Sequence, residues 1–252
     1  MKPSMSSATL RVVALGIGAG LPAMMRGIAE AFLPRGGSWV PPDDSDRLSS
    51  ACAGGDEDVG AQKLGSLILT SLDDLGRDAH WAVERVGDPS AREAIAAANL
   101  IVLGPGSVHT NLLPVLRVRE IAVEIGRSRA RVVLLMNLMT EPGGMDGYVA
   151  SDCVRAIRQQ APEVPIHDVL LNDSPIRSDR VVSCARYGAL PTGYDTEALE
   201  ALACRPVKCD LLWDGPVVRH DPRKMGRAIL GLVADLETRA RSRPRVRAVQ
   251  RM

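Results

Sequence analysis

Short runs without polar residues alternate along this chain with longer stretches in which apolar residues recur every three or four positions. Residues 12–15, 100–103 and 132–136 are runs of the first kind. A strand with no polar position is expected to be buried on both faces, as in a parallel sheet. Residues 21–32 are of the second kind, with Leu21, Met24, Met25, Ile28 and Phe32 at helical spacing. Residues 64–75 are apolar on one side and predict a helix. Residues 91–98 predict a short alanine-rich helix, with Asp88-Pro89-Ser90 supplying cap and first-turn residues. A helical segment is expected after residue 107 to about residue 125, with Pro114 in its first turns. Helices are also expected over 150–160 and 222–236, and strands over 166–171 and 207–212. This alternation predicts a mainly parallel sheet with helices on both faces, the α/β class.

Three strand ends run into small-residue loops. Residues 16–20 read Gly-Ile-Gly-Ala-Gly and open the first helix. Such a turn lets the backbone approach a ligand closely and points helix N–H groups at an anion. Tight packing alone explains such a turn nearly as well. The full G-x-G-x-x-G is absent, since its third position falls at Leu21, and no G-x-x-x-x-G-K-[ST] occurs. Dinucleotide use is disfavoured. Residues 103–107 read Leu-Gly-Pro-Gly-Ser: Gly104, Pro105 and Gly106 fix a rigid loop, and Ser107 either caps the next helix or meets a phosphate oxygen. His109 and Thr110 follow. Past the strand ending at Met136, Asn137 offers an amide that reads a base or sugar hydroxyl or braces its loop. Thr140-Glu141-Pro142-Gly143 continue that loop, and Tyr148 and Asp152 border the next helix. Loops at the carboxyl ends of neighbouring strands imply one shared crevice.

Composition narrows the class. The chain has 252 residues, 46% apolar and only 3% aromatic, so its core is aliphatic. A net charge of +1 argues against a polyanion-binding surface. The cysteines, Cys52, Cys153, Cys184, Cys204 and Cys209, form no C-x-x-C pair, so neither disulfide framework nor zinc site is expected. Reduced thiols, no apolar run near the ~20 residues of a membrane span, and no signal-peptide pattern favour the cytoplasm. Residues 34–60 are rich in Pro, Gly, Asp and Ser and read as an irregular loop. Residues 239–251 carry six arginines and no acid. Without interleaved aromatics they read as a solvated tail, and nucleic acid is not expected as a partner. The organisation expected is one domain over residues 1–238 and a basic, disordered tail over 239–252. An apolar helix face serves a core or a homo-oligomer equally well.

The stretches GIGAGLP, LIVLGPGSVHTNLLP, LLMNLMTEPGGMDGYVASD and VVRHDPRKM together resemble the CofD/YvcK-like family. That family contains 2-phospho-L-lactate transferases and the gluconeogenesis factors that bind UDP-sugars. The NLMT-x-PG…GY-x-ASD pattern is closer to the second branch. The resemblance runs from about residue 10 to 236. It implies a Rossmann-like fold, with a nucleotide or UDP-sugar such as UDP-N-acetylglucosamine at the strand ends. On it, the ligand neighbours are Gly16, Gly18, Gly20, Gly104, Pro105, Gly106, Ser107, Asn137 and Thr140. His220-Asp221-Pro222 matches the family's RHDP turn, which local physics reads as a helix start capped by Asp221. The sequence departs from the pattern at three places. GIGAG stands for GGGTG, no apolar strand or VADDGGSSG segment follows the first helix, and Gln62 and Ser66 stand for the His and Asn of a GHS-x-GN turn. Catalytic residues are therefore left unassigned and no resident cofactor or metal is expected. Mg²⁺ enters only under a transferase reading, where Asp43, Asp44, Asp56 and Asp58 are the available carboxylates. The reading preferred is a non-catalytic regulator of carbon flux, cell-wall precursor supply or cell shape. The alternatives are a transferase and a degenerate paralogue that has lost the ligand.

Overall fold

A computed structural model describes residues 10–16, 20–32, 66–72, 79–85, 89–142 and 147–242. Seven strands form one sheet in the order β3-β2-β1-β4-β5-β6-β7. They are β1 (Leu10–Leu15), β2 (Ser66–Leu72), β3 (Ala79–Arg85), β4 (Leu100–Leu103), β5 (Arg131–Leu135), β6 (Asp168–Asn172) and β7 (Arg205–Cys209). β1, β4, β5, β6 and β7 run parallel, while β2 and β3 add an antiparallel pair at one edge. The expected α/β architecture holds, as a Rossmann-like five-stranded parallel sheet flanked by helices.

Past Arg11 and Arg131 at their amino ends, the central strands β1, β4 and β5 have no polar position because both faces are covered. Val13, Leu15, Ile101, Leu103, Val132 and Leu134 enter one core; Val12, Ala14, Leu100, Val102, Val133 and Leu135 enter the other. The first core is closed by α2 (Pro89–Ala97), α3 (Leu113–Leu116), α4 (Arg119–Arg127) and α5 (Ala150–Gln160), together with Leu199 of α7 (Thr196–Ala201). The second is closed by α1 (Gly20–Phe32) and α8 (Pro222–Ser242). α1 buries Leu21, Met24 and Ile28, and α8 buries Met225, Ile229, Leu232 and Val233. One further helix, α6 (Ser178–Ala185), buries none of its residues.

The chain leaves β1 toward the α1/α8 face and leaves β4 toward the other. The two connections diverge between adjacent strands, which is where open α/β sheets bind ligands.

Several expectations are corrected. Residues 64–75 are not a helix: β2 occupies Ser66–Leu72, paired with β1 and β3 in registers such as Val13↔Leu69 and Thr70↔Trp81. A short apolar run fits either period, and the partner strands decide. The segment after Ser107 is not one helix. A π-helical turn (Val108–Leu112) passes into α3, the helix breaks at Arg117 and Val118, and α4 restarts with Val118 extended as its N-cap. Pro114, near the start of α3, helps explain why the preceding turn is irregular. β6 begins at Asp168 rather than residue 166, and β7 lies at Arg205–Cys209. α8 continues past Leu236 to Ser242, taking the first arginines of the basic segment into the helix. Residues 34–60 and 243–252 lie outside the described residues.

At the amino ends of the strands, Asp168 is fully buried between two arginines. Arg131 forms a two-pronged pair with it, with Nη2 2.7 Å from Oδ1. Arg205 Nε donates to the same Oδ1 at 2.6 Å and its Nη1 reaches Asp235 at 3.1 Å. Burial pushes the Asp168 carboxyl up, and the hydrogen bonds and charges of Arg131 and Arg205 more than reverse that, holding it below the ordinary carboxylate value. This cluster ties β5, β6, β7 and α8 together at the end of the sheet away from the ligand loops.

Candidate functional site

β1 ends at Leu15, the Gly16 that follows is buried, and the Gly104 amide donates to the Leu15 carbonyl at 2.9 Å. The first two loops thus start in contact. Gly104 has φ +88°, and a β-carbon there would lie 3.0 Å from the Leu135 carbonyl. Both facts demand glycine. At Gly106 a β-carbon would press on Asn111 at 3.0 Å. Pro105, buried between them, follows a cis peptide bond. Ser107 is 3% exposed and its Oγ accepts from the Thr110 amide at 3.2 Å. Its hydroxyl is the cap of the π-helical turn.

β5 ends at Leu135, and the loop that follows is held from two sides. From the α8 side, His220 Nε2 bonds the Met136 carbonyl at 3.1 Å. Burial pushes that imidazole down to about 4, against a small opposing effect of the Met136 carbonyl, so the ring is neutral and donates. Asp221 caps α8 by accepting from the Arg223 and Lys224 amides at 2.8 and 3.0 Å, and Pro222 is the first helical residue. The RHDP turn is therefore both a helix start and a brace for the β5 loop.

From the other side comes a strand-like segment around residues 190–193. Thr140 donates its amide to the Leu190 carbonyl at 2.7 Å, and Thr140 Oγ1 accepts from the Leu190 amide at 3.0 Å. The Thr192 amide donates to Leu138, and the Ala150 amide to Gly193. This segment stitches the β5 loop to the start of α5. That helix start is further fixed by Asp195, which accepts from the Ser151 amide at 3.0 Å and from the Ser151 hydroxyl, and by Asp152, which accepts from the Val149 amide at 3.2 Å. Asp152 thus acts in the local capping role that its place near a helix start suggests.

Between these parts lies a narrow cleft, walled by Gly106, Asn137, Thr140, Glu141, Tyr148 and Thr192 over an apolar floor. Of the residues expected to meet a ligand, Gly106, Asn137 and Thr140 share this cleft. Gly16 and Gly104 lie where the first two loops touch, and Gly20 is the first residue of α1. Gly18 is outside the described residues. Ser107 and Pro105 are buried in the loop that carries Gly106. His109 is exposed, its ring edge-on to Tyr148 at 6.0 Å between centroids.

Three residues of the cleft wall, Glu141, Tyr148 and Thr192, had no ligand role assigned from the sequence. Glu141 Oε1 accepts from Asn137 Nδ2 at 3.3 Å, which turns the amide so that Oδ1 is its remaining acceptor. Thr192 Oγ1 is buried with no hydrogen-bond partner among the described residues. The signal for Thr192 was slight: a Pro-Thr-Gly step with no apolar run before it. Among the described residues no group of three or more His, Cys, Asp or Glu converges as a metal site. Asp43, Asp44, Asp56 and Asp58 are outside the described residues, and no described helix is long and apolar enough to cross a membrane.

The sequence profile of the family described as 2-phospho-L-lactate transferase CofD matches residues 84–212, just over half of the chain. The gluconeogenesis factor of Halalkalibacterium halodurans is 37% identical over 139 residues, which make up 55% of this chain and 43% of that protein. The gluconeogenesis factor of Bacillus subtilis is 30% identical over 148 residues, 58% of this chain and 47% of that one. A crystal structure of a UPF0052-family protein from Bacillus halodurans superposes with a TM-score of 0.55 at 32% identity, covering 66% of this chain and 50% of that chain. The chain spans about half the length of the relatives it matches.

Proposed function

Because the chain belongs to the 2-phospho-L-lactate transferase CofD family, and resembles its gluconeogenesis-factor members, we propose that it binds a nucleotide sugar in the cleft between β4 and β5 and acts as a regulator rather than a catalyst. The observation that carries this reading is the meeting of Gly106, Asn137 and Thr140, from the ends of two parallel strands, in one cleft beside the divergence of the β1 and β4 connections. The ligand class is a UDP-sugar, with UDP-N-acetylglucosamine the first candidate. Its phosphates lie toward the glycine loops and the start of α1, where backbone N–H groups are offered. The output is control of carbon metabolism, cell-wall precursor supply or cell shape, exerted in the cytoplasm.

The family's name favours a second reading, transfer of a phospho-lactate-like group from a nucleoside diphosphate. That chemistry needs neutralisation of phosphate charge by a divalent cation. The two readings separate in a thermal-shift and calorimetry screen with UDP-N-acetylglucosamine, UDP-glucose, GDP and GTP, each with and without Mg²⁺. A ligand raises the melting point by mass action. A shift with UDP-sugars and no turnover is the expected result. A Mg²⁺-dependent shift with guanine nucleotides, followed by turnover, replaces it with the transferase. No shift with any of the four means that the ligand has been lost from this chain.

A further inference from the structure

We infer that the β5 end of the cleft is built to hold the uncharged, hydroxyl-bearing sugar of the ligand, and that Thr192 is the residue that reads it. The inference rests on the nucleotide-sugar reading above and assigns one part of that ligand to one part of the site. Three observations lead to it.

The first is an orphaned group. A buried hydroxyl almost always has a partner, and an unpaired one marks a place where something else supplies it. Among the described residues Thr192 Oγ1 is such a group, and Thr192 lies on the wall of the cleft. Its backbone is not at liberty to turn away, because the Thr192 amide is bonded to Leu138 and the segment on either side is bridged to Met139 and Val149.

The second is the sign of the polar groups around it. Glu141 brings a carboxylate to the same cleft, and its bond from Asn137 Nδ2 leaves the Asn137 amide oxygen and the second carboxylate oxygen as acceptors. No Lys or Arg is among the described residues of the cleft wall. A phosphate placed here would meet a carboxylate and acceptors without a cation, which is repulsive. A group carrying several O–H donors fits: each hydroxyl can donate its proton to Glu141 or Asn137 while accepting from the Thr192 hydroxyl.

The third is that the wall is rigid. Thr140 is clamped to Leu190 by two hydrogen bonds, and the Met136 carbonyl is held by His220. Acceptors fixed in advance lose little freedom when a ligand docks, so they discriminate between ligands instead of adapting to them.

The experiment is isothermal titration of the full chain with UDP-N-acetylglucosamine, UDP-glucose and UDP, on the unaltered protein and on Thr192→Val and Thr192→Ser. The unaltered chain is expected to bind the two UDP-sugars at least about tenfold more tightly than UDP. Thr192→Val, which keeps the shape and removes the hydroxyl, is expected to erase about tenfold of affinity for the UDP-sugars and to leave UDP unchanged. Thr192→Ser, which restores the hydroxyl, is expected to behave like the unaltered chain. Equal affinity of the unaltered chain for UDP and UDP-sugars overturns the inference, whether or not the valine variant folds. So does a valine variant that weakens all three ligands alike, or none. In each of these cases the unaltered chain still binds a uridine nucleotide, and the proposed function stands. Binding of none of the three by the unaltered chain overturns both.

Discussion

Gly27 and Gly226 meet backbone to backbone where α1 crosses α8: a β-carbon on Gly226 would fall 1.9 Å from the carbonyl oxygen of Gly27. A β-carbon on Gly27 would fall 1.6 Å from the Pro222 carbonyl oxygen. The two helices close one core against β1, β4, β5 and β6, and this pair sets how closely they lie. Gly27→Ala and Gly226→Ala are each expected to cost at least about 1–3 kcal/mol, the usual range for overpacking a filled interior. Gly231, on the same helix with nothing within 4 Å of its added β-carbon, is the control. Gly231→Ala is expected to be neutral or to stabilise by up to about 1 kcal/mol through helix propensity. Urea midpoints of the three variants check the contrast.

His220 makes stability depend on pH. Its imidazole is pushed from 6.5 down to about 4 in the folded chain. Between these values the unfolded chain takes up a proton that the folded chain refuses. Stability is therefore fully present above about 6.5 and falls as the pH drops toward 4, by on the order of 3 kcal/mol in all. His220→Gln retains an N–H for the Met136 carbonyl and does not titrate. Unfolding free energies measured from pH 4 to 7 should lose most of their slope in this variant; an unchanged slope would assign the acid sensitivity to other groups.

Asp168 acts in a lower window. Its folded value lies below the ordinary one, so its contribution is present above about 3.8 and is lost as the pH falls through the folded value. Asp168→Asn leaves Arg131 and Arg205 facing each other without their shared counter-charge, and a loss of about 3–5 kcal/mol is expected. Arg131 and Arg205 open β5 and β7 at the ends opposite the cleft, so variant protein that remains folded at low temperature should bind ligand as before. Denaturation and titration on the same sample check both halves.

In the cleft, Gly106→Asp sets a side chain against Asn111 and a negative charge beside the site, and Asn137→Ala removes an acceptor and releases Glu141. Each is expected to weaken nucleotide-sugar binding by tenfold or more; the melting point of the free protein should stay within a few degrees for Asn137→Ala and fall for Gly106→Asp, where positive φ and the contact with Asn111 strain any side chain. Arg243→Ala with Arg245→Ala is expected to leave binding alone. Two folded variants of normal affinity would move the ligand elsewhere on the protein.

Much of this was readable in the chain. β4, and β1 and β5 past Arg11 and Arg131, announced themselves because strand positions buried on both faces are apolar, and α1, α5 and α8 because one helical face must be apolar. Gly104 and Gly106 could be placed because a tight loop leaves few residue choices. β2 could not, since Leu67, Ile68 and Leu69 suit a helix until β1 and β3 are beside them. Thr192 was invisible for a related reason. What gives it a role is the approach of residues 190–193 to a loop about 50 positions earlier, and no local pattern records that approach.

The crossing of α1 with α8 also imposes an order on biosynthesis. α1 begins at residue 20, and the helix that shields it begins at residue 222. While ribosomes are still making the middle of the chain, Val12, Ala14, Leu100, Val102 and Val133 have half of their cover missing. The opposite face, closed by helices that lie between its own strands, can consolidate as it emerges. Contacts so distant in sequence close slowly, and the open face is what a chaperone would find to hold in the meantime.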